Sequence, residues 1–234
     1  MNNKFITTTA LGLMTLAASA KAELSTTVNL TSDYTFNGVS QTDNGPALQA
    51  SFDYGNDNGF YAGTWASTLD FGPGDDTNVE WDFYLGKGYA LSDTLGLDVG
   101  IAYYTYHGES FSSDLNYAEA YAKFAIENQL GASEVNFWYA NDYAGSDAGH
   151  WIVMLAHTFT LSSGHDVRVS ADRSSSLDED KLMWGDSKSY NHYRIEYMTS
   201  YSGFDINLAA ETTNLDWDTA DERIVLSISR SFEL

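Results

Sequence analysis

Apolar and polar residues alternate with period two along most of this chain. The alternation is clearest at 79–85, where Val79, Trp81, Phe83 and Leu85 interleave with Glu80, Asp82 and Tyr84. It recurs with Phe204, Ile206, Leu208 and Ala210 set against Asp205, Asn207 and Glu211. Ala118, Ala120, Ala122, Phe124 and Ile126 oppose Glu119, Tyr121 and Lys123 in the same way, and Leu97, Val99, Ile101 and Tyr103 oppose Asp98, Gly100, Ala102 and Tyr104. Successive side chains of an extended chain point to opposite faces, so this spacing predicts strands with one greasy face and one polar face. Weaker segments of the same kind cover residues 25–36, 46–54, 60–68, 132–142, 150–161, 165–173, 188–199 and 222–232. The 150–161 segment is apolar on both faces from Trp151 to Leu155, which leaves its facing unreadable.

The gaps between segments are alternately short and long. Tight turns are predicted at Asn56-Asp57-Asn58-Gly59, Ser92-Asp93-Thr94, Gln129-Leu130-Gly131, Ser162-Ser163-Gly164 and Ser200 to Gly203; longer polar loops are predicted at 37–46, 70–78, 107–114, 143–149, 174–187 and 214–221. A soluble sandwich has little reason to sort its loops by parity, whereas outer-membrane barrels pair short periplasmic turns with longer external loops. Each segment has about 9 to 12 residues, enough to cross the hydrocarbon layer at the usual strand tilt. The expected fold is therefore all-β: a closed up-and-down antiparallel transmembrane β-barrel of about twelve strands. Closure is a physical requirement, because an open sheet edge in lipid would leave backbone groups unpaired at several kcal/mol each. An even strand number puts both ends of the barrel sheet on the periplasmic side.

Residues 1–22 read as a cleavable export signal, with Lys4 near the start, an apolar core from Ala10 to Ala18 and a small-x-small site at Ala20-Lys21-Ala22. The domain expected after cleavage is 23–234. No later apolar run approaches the roughly 20 residues of a spanning helix. The 234 residues include no cysteine, so disulfides, thiolate chemistry and lipid attachment through cysteine are excluded. Without the two lysines of the signal, nine basic residues face 33 acidic ones, a net charge of −24. Such a polyanion does not bind nucleic acid through phosphate neutralisation, but it attracts cations. Mean hydropathy is mildly negative, as it is for barrels in which only alternate residues meet lipid. Sixteen Tyr and six Trp suit two interfacial girdles, and the two prolines, Pro46 and Pro73, fall at or beside loops.

One stretch carries a family resemblance. Ser32-Asp33-Tyr34-Thr35-Phe36-Asn37-Gly38-Val39-Ser40-Gln41-Thr42 followed by Pro46-Ala47-Leu48-Gln49 resembles the opening block of the TorF family of porin-type outer-membrane proteins. Asn37 stands where that pattern has Arg. The segments 59–67 and 79–86 resemble the next two blocks. The resemblance implies a small Gram-negative outer-membrane barrel and is silent about the solute.

Extending the polar parity into the barrel interior collects Glu80, Asp82, Asp98, Glu119, Glu134, Glu196, Asp205 and Glu211, with Lys123, Arg168 and Arg194 as basic partners. A water-filled bore lined with this acid excess favours cations. The alternative is a sealed interior in which these acids pair with the bases and with Tyr84, Tyr104 and Tyr121. A barrel of about twelve strands lies between the filled small barrels and the open porins, so strand number does not decide between them. The acidic loops at Asp75-Asp76, at 178–180 and at 216–222 read as solvated, or as carriers of divalent ions bridging lipopolysaccharide. His107, His150, His157, His165 and His192 show no metal-ligand spacing, and no Gly-x-Ser-x-Gly elbow is present. Gly86-Lys87-Gly88 lacks the third glycine and the helix of a phosphate loop. The Leu182-Met183-Trp184 patch folds into the mouth, meets a partner or packs on neighbouring loops.

The reading predicts no enzyme, no cofactor and no metal centre. It predicts an outer-membrane diffusion channel for small polar solutes, leaning to cations, with membrane lipid and lipopolysaccharide as surroundings. Glu80, Asp82 and Glu211 are its foremost lining residues. A non-conducting barrel whose acidic loops bind a partner or stabilise the envelope is the second reading.

Overall fold

The computed structural model describes residues 23–234; the expected export signal, 1–22, lies outside the described residues. The chain begins with β1 (Glu23–Thr31), forms a small hairpin of β2 (Thr35–Phe36) and β3 (Val39–Ser40), and continues through β4 (Ala47–Gly55), β5 (Phe60–Thr68), β6 (Val79–Ala90) and β7 (Leu95–His107). It then runs through β8 (Tyr117–Asn128), β9 (Gly131–Ala140), β10 (His150–Ser162), β11 (His165–Ser176), β12 (Ser189–Tyr201), β13 (Phe204–Thr213) and β14 (Arg223–Glu233). All strands except β2 and β3 form one closed antiparallel barrel of twelve, in which β1 pairs β4 on one side and β14 on the other. Closure brings Ser25 opposite Glu233 and Leu30 opposite Ile228.

Two ends follow from the connections. One carries the turns at 56–59, 91–94, 129–130, 163–164 and 202–203, together with the start of β1 and the end of β14; the other carries the longer loops. Gly59, Gly164 and Gly203 take positive φ in these turns, the region where glycine escapes the Cβ clash.

The outward face is apolar on every strand. Leu30, Phe83, Ile101, Leu155, Ile195 and Ile224 are all more than 45 % exposed. An unbroken apolar belt of this kind is incompatible with water and compatible with lipid. Tyr103, Tyr139, Trp151 and Tyr193 border the belt towards the loops, and Tyr89, Phe159, Tyr201 and Phe232 towards the turns. Arg230, the one basic group on the outer face of β14, lies 5.2 Å from the ring centres of both Phe204 and Phe232. The facing of β10, unreadable from its residues, resolves with Trp151, Val153 and Leu155 outward and Ile152 buried inside.

Two boundaries differ most from the periodic reading. The first strand, expected over 25–36, ends at Thr31, and the chain turns inward from Ser32. The loop expected at 174–187 is 177–188, because β11 continues its ladder to Ser176 opposite His150.

Candidate functional site: the inward face of the barrel

The polar parity of the strands faces inward, so the site is a wall rather than a cleft. All eleven sequence-derived lining residues point to this side: Glu80 and Asp82 on β6, Asp98 on β7, Glu119 and Lys123 on β8, Glu134 on β9, Arg168 on β11, Arg194 and Glu196 on β12, and Asp205 and Glu211 on β13. They fall into two chemically distinct sectors.

In the β8–β13 sector, bases and acids interlock. Arg168 donates to Glu134 at 3.1 Å and to Glu196 at 3.2 Å. Arg194 bridges Glu196, at 3.0 Å, and Glu211. His192 contacts Asp172 at 2.7 Å and Glu211 at 3.4 Å. Asn136 and Asn207 donate to Glu134 and Glu196, each at 3.0 Å. Lys123 lies 4.5 Å from the ring centre of Tyr121. Burying charge is tolerable only when it is paired and hydrogen-bonded in this way.

The β4–β8 sector is acidic and phenolic. Tyr34 donates to Glu80 at 2.9 Å and Tyr104 to Glu119 at 3.0 Å. Tyr84 donates to Asp53, and Tyr61 to Asp98 at 2.7 Å. Three of the tyrosines lie over glycines of the neighbouring strand: Tyr84 over Gly63, Tyr61 over Gly86 and Tyr121 over Gly100. A side chain at any of these glycines would occupy the space of the ring. Close approach of this kind is a reason for glycine inside a strand. The buried oxygens Asp82 Oδ1, Glu119 Oε2, Asn29 Oδ1, Asn207 Oδ1 and Glu211 Oε1 accept no hydrogen bond among the described residues. The wall therefore has acceptors to spare. No group of His, Cys, Asp or Glu among the described residues is arranged to hold a metal ion.

Burial is most complete towards the loops. In the loop-side half, every one of the twelve strands places an inward residue that is less than 10 % exposed, from Asn29 and Gln49 through Glu80, Tyr104, Glu119 and Ala140 to His192 and Ser227. Towards the turns burial is mixed: Tyr61, Lys123, Glu134, Asp166 and Met198 are also less than 10 % exposed, whereas Thr27, Asp53, Tyr84, Asp98, Arg168 and Arg194 are half-buried. Glu80, Asp82 and Glu211 lie in the closed half.

Side chains from the loops close it, Tyr143 against Tyr117 and His150 among them, and periodicity gave no sign of two of the inserts. The first is the β2–β3 hairpin, carried on Ser32–Pro46. Its Tyr34 packs edge-on against Trp65 at 5.3 Å, and burial together with Glu80 raises the pKa of its hydroxyl well above the ordinary value, which keeps it a donor. The Asn37-Gly38 tip, with φ of 47° and 80°, reaches β11 and β12, where Asn37 donates to Ser174 at 3.3 Å. Asn-Gly with both residues at positive φ is the favoured two-residue hairpin turn, and that dipeptide was the available sequence signal. The second insert is Trp184, 8 % exposed, which packs on His150 and Tyr190 at 5.3 Å from each. Of the three placements open to the 182–184 patch, Trp184 takes the mouth, while Met183 stays exposed.

A family model described as "Bacterial protein of unknown function (Gcw_chp)" matches residues 16–232. No curated protein matches the chain. Among solved structures, the NanC porin aligns with a TM-score of 0.60 at 14 % identity over 90 % of this chain and 100 % of its own. The KdgM porin aligns at 0.58 and 8 % identity over 89 % and 99 %, and a second KdgM structure is a complex with disordered oligogalacturonate. An outer membrane channel from Pseudomonas putida aligns at 0.56 and 9 % identity over 93 % and 97 %. These likenesses establish the fold: a closed twelve-stranded antiparallel barrel of the outer-membrane porin type.

Proposed function

The chain belongs to the Gcw_chp family of bacterial proteins, and we propose that it is an outer-membrane diffusion channel for small polar solutes that prefers cations. The observation that carries the reading is the pairing of an apolar outer belt with a charged, hydrogen-bonding inner wall on one closed sheet. The turns then face the periplasm and the loops face outward, as in other outer-membrane barrels. The mechanism is electrostatic selection along a water path, without covalent chemistry. Carboxylates outnumber bases on the wall, and its unpartnered buried atoms, the ring nitrogens of His150 and Nε2 of His192 apart, are oxygens that accept from water or from cation hydration shells. Porin-type neighbours, one of them crystallised with oligogalacturonate, support a small polar solute as the cargo class.

Purified protein in a planar bilayer tests this. Stepwise openings with a cation-selective reversal potential are expected, and silence at high protein dose would overturn the reading. A specific observation favours a second reading: the inward residues of the loop-side half are buried on all twelve strands. This suits a non-conducting barrel that presents acidic loops to a partner, which predicts the same silence.

A further inference from the structure

The external closure has an uneven construction. At its base, the Ser32–Pro46 segment is tied firmly. Asp33 receives Arg223 at 2.7 Å, Ser40 at 2.6 Å and Thr42 at 3.1 Å, and the Tyr34 hydroxyl reaches Glu80 at 2.9 Å. At its tip it is held loosely. β2 and β3 pair through two residues each; Ser40 N–H donates to the Thr219 carbonyl at 2.7 Å and Thr35 bonds the Glu211 carboxylate, while the Asn37-Gly38 tip itself meets the far wall through the 3.3 Å bond from Asn37 to Ser174 and packing of Gly38 on His192 and Thr213. The Asn37 bond is one that water replaces at little cost. Behind the hairpin, the wall of β13, β14, β1 and β4 carries Ala209, Ser227, Asn29 and Gln49, which are small or uncharged. Withdrawal of the tip would expose a path lined by these uncharged groups on one side and by the paired Glu211, His192 and Arg194 on the other.

From this asymmetry we infer that the Ser32–Pro46 hairpin is the element that decides passage. Its tip, pivoting on the Asp33 and Tyr34 anchors, closes the bore when seated on β11–β13 and sets the size limit when withdrawn. The inference rests on the channel reading and adds to it the residues responsible for exclusion. Small hydrated cations and compact polar solutes pass the partly withdrawn tip, and larger oligosaccharides do not.

The absence of cysteine from the chain makes a direct test available. A Cβ built on Gly38 lies 2.5 Å from Thr213 Cγ2, so Gly38→Cys with Thr213→Cys places two thiols within disulfide reach. In bilayer recordings of the full-length mature barrel, oxidation of this pair is expected to reduce open events at least tenfold, with recovery on reduction; Gly38→Cys alone is the reference for strain at the positive-φ position. A second variant replaces residues 35–40 with two glycines. It is expected to raise unit conductance at least threefold and to admit neutral oligosaccharides that wild type excludes in liposome swelling. Equal conductance of the oxidised and reduced pair, or wild-type conductance in the shortened variant, would overturn the role of the hairpin while leaving the channel intact. A shortened variant that folds, by the heat-dependent gel shift of barrels, and is silent would overturn both.

Discussion

Replacing Arg168 with Met removes the centre of the buried ion network and asks how dry the barrel interior is. The Arg168 side chain is 16 % exposed and spans Glu134, whose side chain is 1 % exposed, and Glu196, at 8 %. After Arg168→Met, Glu196 keeps Arg194 at 3.0 Å and Asn207 at 3.0 Å. Glu134 keeps its 3.0 Å hydrogen bond from Asn136 and loses its salt bridge. The cost therefore falls mainly on Glu134. Stranding one buried partner of an ion pair costs about 3–5 kcal/mol, and the surviving amide bond places this case near 3 kcal/mol, about a hundredfold in the folding equilibrium.

Adding Glu134→Gln to Arg168→Met removes the stranded charge, so the double variant is expected within about 1 kcal/mol of wild type, a coupling near 2 kcal/mol. The assay is urea unfolding of the barrel in lipid vesicles, followed by tryptophan fluorescence. A loss below about 0.5 kcal/mol for Arg168→Met, with no coupling to Glu134→Gln, is the behaviour of an exposed pair. It would refute the buried network and point to a wide, wet bore.

Three further outcomes follow from the same geometry. Ile101→Arg, at the middle of the outer face of β7, is expected to cost about 2–4 kcal/mol in vesicle folding; full tolerance would remove that face from lipid. Neutralising Glu80, Asp82 and Glu211 together is expected to reduce cation preference, and an unchanged reversal potential in a salt gradient would strip them of a lining role. Gly86→Ala is expected to displace Tyr61 from its bonds to Asp98 and Tyr121, at 2.7 Å and 2.6 Å, costing about 1–3 kcal/mol. The same change in a Tyr61→Ala background should cost less, the remainder coming from the 2.8 Å approach of the new Cβ to the Val99 carbonyl, and equal costs in both would show that the ring does not rest on the glycine.

The legible parts of this protein are those whose role depends on local spacing. Val79 to Leu85 announces its strand and both its faces because a strand side chain has two directions to choose from, and one of them meets hydrocarbon. Glu119 and Arg168 reveal their inward facing by the same parity. Their partners stay hidden, because Arg168 meets Glu134 across two strand boundaries and pairing across strands is not written in spacing. Tyr34 was hidden more deeply. Its neighbours Thr35 and Phe36 extend the apparent strand, and only the Asn37-Gly38 turn shows that the chain doubles back. Trp184 gave a composition signal, an apolar residue in an acidic loop, but its destination depended on His150 and Tyr190, which are far away in sequence.

Charge alone does not make a path through this wall. An ion entering from the turn side meets the half-buried Asp98, Arg168 and Arg194 beside the buried Lys123, Glu134 and Asp166. Further in, it reaches a ring where every strand contributes a buried side chain. Passing that ring in place would strip the ion of water, and the carboxylates there are already committed: Glu80 to Tyr34, Glu119 to Tyr104, Glu211 to Arg194 and His192. Dehydrating an ion is costly unless replacement ligands are arranged around it; seven unpartnered oxygens spread over separate strands among the described residues are no such cage. A permeating ion must therefore keep its water, and that requires the ring to open. Because all twelve strands of the ring are paired with both neighbours, the Asn37-Gly38 tip, held by the 3.3 Å Asn37 bond and packing of Gly38, is the part able to yield. Selectivity measurements on Glu80, Asp82 and Glu211 consequently have meaning in the withdrawn state, and they should lose all effect once the tip is cross-linked to Thr213→Cys.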